Sequence, residues 1–228
     1  MITIEIAGIP IAIDSRFNIE AQQYNGYLTE KQPLEIVTTS DEEIRLEGTV
    51  VSAYTEQLCI LRKIALLCMD YNAFLLHAAV IDVDGQGIAF AARSGTGKTT
   101  RVLLWKKALG DRVKVVNGDK PILRFMEDGL YAFGTPWMGK ERLGENTSVQ
   151  MKAVCFIERG DTVALRRLAP KETVPRLFNQ ILIPKDAARL KVFLMLMERF
   201  AQSIPFYLLT CNKDQEDPQT LWTEILNK

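Results

Sequence analysis

A lysine and a threonine set directly after a glycine-rich turn can do phosphate chemistry, and this chain contains one such stretch: Ala92-Arg-Ser-Gly-Thr-Gly-Lys-Thr-Thr100. Gly95 and Gly97 allow the backbone to turn so that successive N–H groups, from Ser94 through Thr100, face a phosphate chain. Lys98 supplies a point charge for the β- and γ-phosphates, and the Thr99 hydroxyl reaches a Mg²⁺ ion. Ala92 stands where such loops usually carry their first glycine, which is tolerable at an ordinary backbone φ below zero. A Gly/Thr-rich turn before a helix is often only a cap. Here an apolar strand (87–91) precedes the loop and a helix (100–109) follows it, so that the helix N-terminus completes an anion site.

Phosphoryl transfer also needs a carboxylate, as Mg²⁺ ligand or as the base for the acceptor's proton. Asp119 fits, because it follows the apolar run 113–116 and strand-end acids of α/β proteins face ligand crevices. The competing reading is a plain Asn117-Gly118-Asp119 turn, and spacing leaves base and metal roles undivided. Gly118 is expected to leave room for a close approach by phosphate or metal. His77 is the only histidine in the chain. It lies on a predicted strand that pairs with the one entering the loop, where it either returns to the nucleotide or is buried below it. The loop 134–146 is long and Gly-rich, and such loops are usually functional. Its Trp137, Lys140 and Glu141 are candidates for substrate binding.

These residues need positioning. Alternation predicts strands at 2–6, 10–13, 34–37 and 44–48, a small N-terminal β-rich region over 1–52. A helical stripe runs from Tyr54 to about Tyr71, apolar on so much of its surface that a sandwiched position is expected. Within 53–228 the pattern predicts a strand over 74–83 and a tight turn at Asp84-Gly85. Asp82 and Asp84 read as turn residues. Strands at 113–116, 122–125, 130–133, 151–158, 163–168 and 205–209 follow, with helices at 173–183, 187–202 and 218–226. The fold class is α/β, a mixed central sheet with flanking helices.

Composition narrows the field. Lys plus Arg and Asp plus Glu number 28 each, which gives no whole-chain electrostatic case for nucleic acid or an anionic membrane. Hydrophobic residues make up 47 % and charged residues 25 %, ordinary for a chain with a packed core. The four cysteines are far apart and include no CxxC pair, so they read as small hydrophobes in a reducing compartment. The start Met1-Ile-Thr-Ile-Glu-Ile alternates like a strand rather than a leader. A cytoplasmic location is expected.

The stretch from about 74 to 158 resembles the HPr kinase and PEP carboxykinase superfamily. The shared features are His77-x-x-x-x-Asp82, a glycine turn, a second strand, Ser94-Gly-Thr-Gly-Lys-Thr-Thr100 and a strand ending in an acid. Within it the chain is similar to small HPr-kinase-like proteins associated with modified-peptide gene clusters. The resemblance implies a P-loop kinase fold of that type, with Lys98 on the phosphates, Thr99 on Mg²⁺, Asp119 as base or metal ligand, and His77 in the site. The superfamily carries two adjacent aspartates where this chain has Gly118-Asp119-Lys120. The implied activity is transfer of the γ-phosphoryl group of ATP, with Mg²⁺, to a hydroxyl on a peptide, a protein or a small molecule such as free serine. The alternative is a nucleotide-binding switch or assembly module with little catalysis. Homo-oligomers occur in the superfamily.

Overall fold

Strands β1 (Ile2–Ile6) and β2 (Ile9–Asp14) form an antiparallel hairpin, and β3 (Glu35–Thr38) adds to β2 in parallel. The computed structural model that establishes this arrangement describes residues 1–17, 21–212 and 216–227. The segment expected as a strand at 44–48 instead holds the end of a helix, α1 (Asp41–Arg45), and the turn that follows it. Its start explains why. Ser40 Oγ accepts from the Glu43 N–H while the Glu43 carboxylate accepts from the Ser40 N–H, a reciprocal cap. Three acids in the first turn add to it. Local hydrogen bonding outweighs a weak alternation.

Helix α2 (Ala53–Leu67) continues into a short 3₁₀ turn, Cys68–Tyr71. Its Ile60, Leu61, Ile64 and Ala65 share one buried cluster with Ile4, Ile6 and Ile11 of the small sheet and with Leu75 and Ile122 of the large one. The sandwiched position expected from its apolar breadth is observed.

The larger sheet comprises β4 (Ala73–Leu75), β5 (Ala78–Val83), β6 (Gln86–Ala91), β7 (Val113–Asn117), β8 (Ile122–Met126), β9 (Gly129–Phe133), β10 (Ser148–Arg159), β11 (Ala164–Arg167) and β12 (Phe206–Cys211). Its order is β4-β8-β9-β10-β6-β5-β7, with β12 joining β10 and β11 joining β12. Strand β10 runs parallel to β6 and β12, whereas β5 is antiparallel to both β6 and β7. The C-terminal ends of β6, β7 and β10 and the N-terminal end of β5 therefore gather at one edge, where α/β sheets place their ligands.

Side-chain alternation divides the core into two layers. Val80, Ala89, Ala91, Val154 and Phe156 pack with Phe193, Leu196 and Phe200 of α5 (Ala187–Ser203) and Leu177 of α4 (Pro170–Phe178). Ala79, Ile81, Ile88, Phe90 and Cys155 face the other way, onto Val102 and Trp105 of α3 (Lys98–Leu109) and Trp222 of α6 (Pro218–Asn227). A two-residue period on three neighbouring strands thus produces a sheet covered by helices on both faces. All four cysteines are free and buried. No helix among the described residues is long and apolar enough to cross a membrane.

The strand expected over 74–83 is broken. β4 pairs with β8, β5 pairs with β6 and β7, and the chain crosses between these two parts of the sheet at Leu76-His77. Leu76 bridges to Ile181, and the His77 N–H donates to the Gln180 carbonyl at 2.8 Å. His77 is therefore a break residue at the site edge, a placement that the single strand expected over 74–83 did not disclose.

Candidate phosphate-loop site

The loop after β6 adopts the backbone that its sequence requires. Gly95 and Gly97 take φ of +77° and +121°, whereas Ala92 is not among the residues of positive φ. Helix α3 begins at Lys98, and its first N–H groups have no intrahelical partner by geometry. Ser94, Gly95 and Thr100 are exposed, while Thr96 and Thr99 are half-buried. Among the described residues the Thr99 hydroxyl makes no hydrogen bond.

Lys98 is 8 % exposed. Its ammonium donates to the Ala92 carbonyl at 3.0 Å and lies 2.9 Å from His77 Nε2. That imidazole nitrogen is 3.1 Å from Asp119 Oδ1, and Lys98 Nζ is 4.0 Å from the same oxygen. Three residues from three elements thus converge: the end of β4–β5, the start of α3 and the exit of β7. One imidazole nitrogen cannot both accept from Lys98 and donate to Asp119, so the proton has two arrangements within this group. Burial lowers the Lys98 pKa below the usual lysine range, a shift only partly offset by the charge of Asp119. Burial by itself would raise the Asp119 pKa. The His77 hydrogen bond and the nearby Lys120, 3.3 Å from Oδ2, outweigh that and hold the carboxyl below its ordinary range. Asp119 is thereby kept ionised.

The turn that carries Asp119 is shaped by Asn117, which is fully buried. Its Oδ1 accepts from the N–H groups of Asp119 (2.9 Å) and Lys120 (2.7 Å). Its Nδ2 donates to the Thr135 carbonyl (3.0 Å) and hydroxyl (3.1 Å), and the Thr135 hydroxyl in turn donates to the Lys120 carbonyl at 2.8 Å. The Ala78 N–H closes the unit by donating to the Asp119 carbonyl at 3.1 Å, which couples the β7 exit to the residue after His77. Asn117→Ala removes four of these bonds and leaves buried groups unpaired, so a loss of about 3 kcal/mol is expected. Thermal denaturation would measure it, and a stability unchanged within 1 kcal/mol would refute the clamp role.

Gly118 does not leave room for a ligand. A Cβ there would stand 2.8 Å from the Met138 carbonyl and 3.0 Å from the Leu143 carbonyl, so the glycine accommodates the backbone of the 134–144 loop. Trp137 is also turned away from any pocket. The residue is 9 % exposed, and its ring packs edge-on against Tyr24, at 6.0 Å, in the N-terminal core. The substrate-facing role expected of it gives way to core packing, because a buried ring has no surface left to offer. Lys140 is exposed. Glu141 is better placed: its Oε2 and the Asp119 Cγ lie 4.0 and 3.7 Å from the point that a Cβ on Gly139 would occupy.

Three further residues define the site. Gln180 is buried, and its amide nitrogen, oriented by its acceptors, donates to the carbonyls of His77 (3.1 Å) and Ala92 (3.3 Å). One amide thereby fixes both flanks of Lys98. Arg159, at the end of β10, donates to the Gly95 carbonyl at 2.6 Å and steadies the loop. Asn117 had a partial signal in its strand-end Asn-Gly-Asp turn. Gln180 and Arg159 had none, since each acts across the sheet.

No family model matches the sequence, and no curated protein matches it. Among solved structures the chain is similar to the HPr(Ser) kinase/phosphatase from Coxiella burnetii. The TM-score is 0.40 and the identity 11 %, with 67 % of this chain and 88 % of that one covered. The likeness is one of outline, and the chemistry of the site rests on this chain's own geometry.

Proposed function

We propose that the chain is a Mg²⁺- and ATP-dependent phosphotransferase acting on a hydroxyl. The observation that carries the reading is the convergence of Lys98, His77 and Asp119 within 4.0 Å at the start of a helix that follows a glycine loop. The nucleotide's phosphates would lie along the loop 94–100, with Lys98 against the β- and γ-phosphates. Arrival of that negative charge competes for the Lys98 ammonium and releases His77 Nε2 to donate to Asp119. Asp119 then takes the acceptor's proton as its oxygen bonds to the γ-phosphorus and the β–γ bridging bond breaks.

Mg²⁺, when bound, offsets the charge on the transferring phosphoryl group. The donor available on the loop is a hard oxygen, the Thr99 hydroxyl, which suits this ion. Among the described residues no three of His, Cys, Asp and Glu gather to hold a metal by themselves, so the ion would be shared with the phosphates.

The test is transfer from labelled MgATP to pooled hydroxyl acceptors, with binding measured in parallel by calorimetry. Lys98→Ala is expected to weaken MgATP binding about 100-fold, the worth of roughly one charge-assisted contact of 2–3 kcal/mol. Unchanged affinity in that variant would sink the proposed site. Tight binding with no transfer to any acceptor would instead support a nucleotide-binding switch.

A further inference from the structure

A cleft of about 430 Å³ opens beside the loop, and its lining residue Gln180 joins it to His77. The strand order makes the two flanks distinct: β5 and β7 lie on one side of β6, and β10 lies on the other. Arg93 and Thr96 of the loop, Phe156 to Arg159 at the end of β10, and Arg176, Asn179 and Gln180 at the end of α4 line the cleft. We infer that this cleft holds the phosphoryl acceptor by an anionic group, a carboxylate or a phosphate, carried beside its reactive hydroxyl. The inference rests on the phosphotransferase reading and names the substrate class for it.

Charge carries the argument. Arg93, Arg159 and Arg176 line the cleft against one carboxylate, Glu158. Glu158 is paired with Arg176 at 2.8 Å, and Arg159 is held to the Gly95 carbonyl, which balances no charge. Two guanidinium charges therefore stand uncompensated in a concave site beside a loop built for anions. Guanidinium groups bind carboxylates and phosphates through paired N–H donors. The volume suits a small molecule or the end of a peptide side chain.

Position carries the rest. The Ala92 carbonyl, on the wall of the cleft, is the group that receives the Lys98 ammonium at 3.0 Å, and Gln180 reaches from the cleft to the His77 carbonyl. A ligand anchored on Arg93 and Arg159 thus lies beside the loop, with the Ala92 backbone between it and the Lys98 ammonium. Its hydroxyl can point at the transfer site while its anion stays on the arginines.

The experiment is calorimetry on the full chain saturated with MgAMP-PNP, so that phosphate probes cannot occupy the loop. The probes are L-malate, a hydroxy acid, and glycerol 3-phosphate, a hydroxy phosphate, with glycerol as the neutral control. At least one anionic probe is expected to bind saturably while glycerol does not. The Arg93→Gln/Arg159→Gln double variant should weaken that binding about tenfold or more. Whether malate or glycerol 3-phosphate is held tells carboxylate from phosphate. Failure of the unaltered chain to bind MgAMP-PNP speaks against the phosphotransferase, whereas the same titrations on nucleotide-free Lys98→Ala chain judge the cleft on its own. Absence of binding in both backgrounds overturns the inference, as does binding indifferent to the arginines or displacement of the probe by adenosine.

Discussion

Asp119→Asn should lower the transfer rate about 1000-fold while nucleotide affinity changes by less than a factor of five, because a positioned general base contributes 10²–10⁴. The asparagine oxygen can stand in for Oδ1 and accept from His77, and the Asn117 turn is held through the backbone N–H of residue 119, so it is expected to survive. What is lost is the capacity to take a proton. The pH profile provides a second readout. The Asp119 pKa is held below its ordinary value of about 4, so the carboxylate is already mostly ionised at that pH and is lost as pH falls through the depressed value. On account of this group, kcat should stay level from neutrality down to about pH 4 and decline only below it, and the asparagine variant should lack that acid limb. Full activity in Asp119→Asn would remove the base from the mechanism and leave positioning by Lys98 and the loop as its content.

Glu216→Ala is expected to be the most destabilising of the changes considered, by about 3–5 kcal/mol, the cost of leaving a buried charge unpaired. The Glu216 side chain is fully buried. It receives Arg101 of α3 through one oxygen and the indole N–H of Trp105, at 3.1 Å, through the other. Removing the carboxylate strands a guanidinium that is itself buried and whose Nε already has no partner among the described residues. For a chain of 228 residues the loss corresponds to a fall in Tm of about 10 °C. Because Arg101 sits one turn past Lys98, its N–H bonded to the Gly97 carbonyl, the same change should loosen the start of the helix that anchors the loop. Arg101→Met combined with Glu216→Met should recover most of the stability, since the penalty comes from the orphaned charge rather than from a missing attraction. A double variant no more stable than Glu216→Ala would show that the contact acts through packing instead.

The elements that sequence disclosed are those dictated by neighbours along the chain. The glycines of the loop, the Lys98-Thr99 pair at a helix start and the Asp84-Gly85 turn (φ +53° and +83°) are local backbone chemistry. Each needs only a few consecutive residues to be specified. The layering of β5, β6 and β10 follows from a two-residue period in the same way. The strand expected at 44–48 failed for a local reason as well, since the Ser40–Glu43 cap outweighed a short alternation.

What tertiary structure alone decided concerns order and partners. The apolar run from Phe74 to Val83 has no feature that marks Leu76-His77 as a crossing between two parts of a sheet. That crossing depends on β8, Ile181 and Gln180, all distant in sequence, and it delivers His77 to Asp119. An aromatic in a Gly-rich loop reads equally as pocket or core. Trp137 became core because Tyr24 and the N-terminal sheet were there to cover it. The arginine-lined cleft is assembled from the loop, the end of β10 and the end of α4, so its charge is invisible in a chain whose net charge is zero. Sequence by itself determined the glycine loop, the Lys98-Thr99 pair after it and the acid at the end of β7, on which the proposed phosphate site rests. Only the packing of distant strands decided what stands on either flank of that loop, because strand order is set by burial of whole faces and not by any local period.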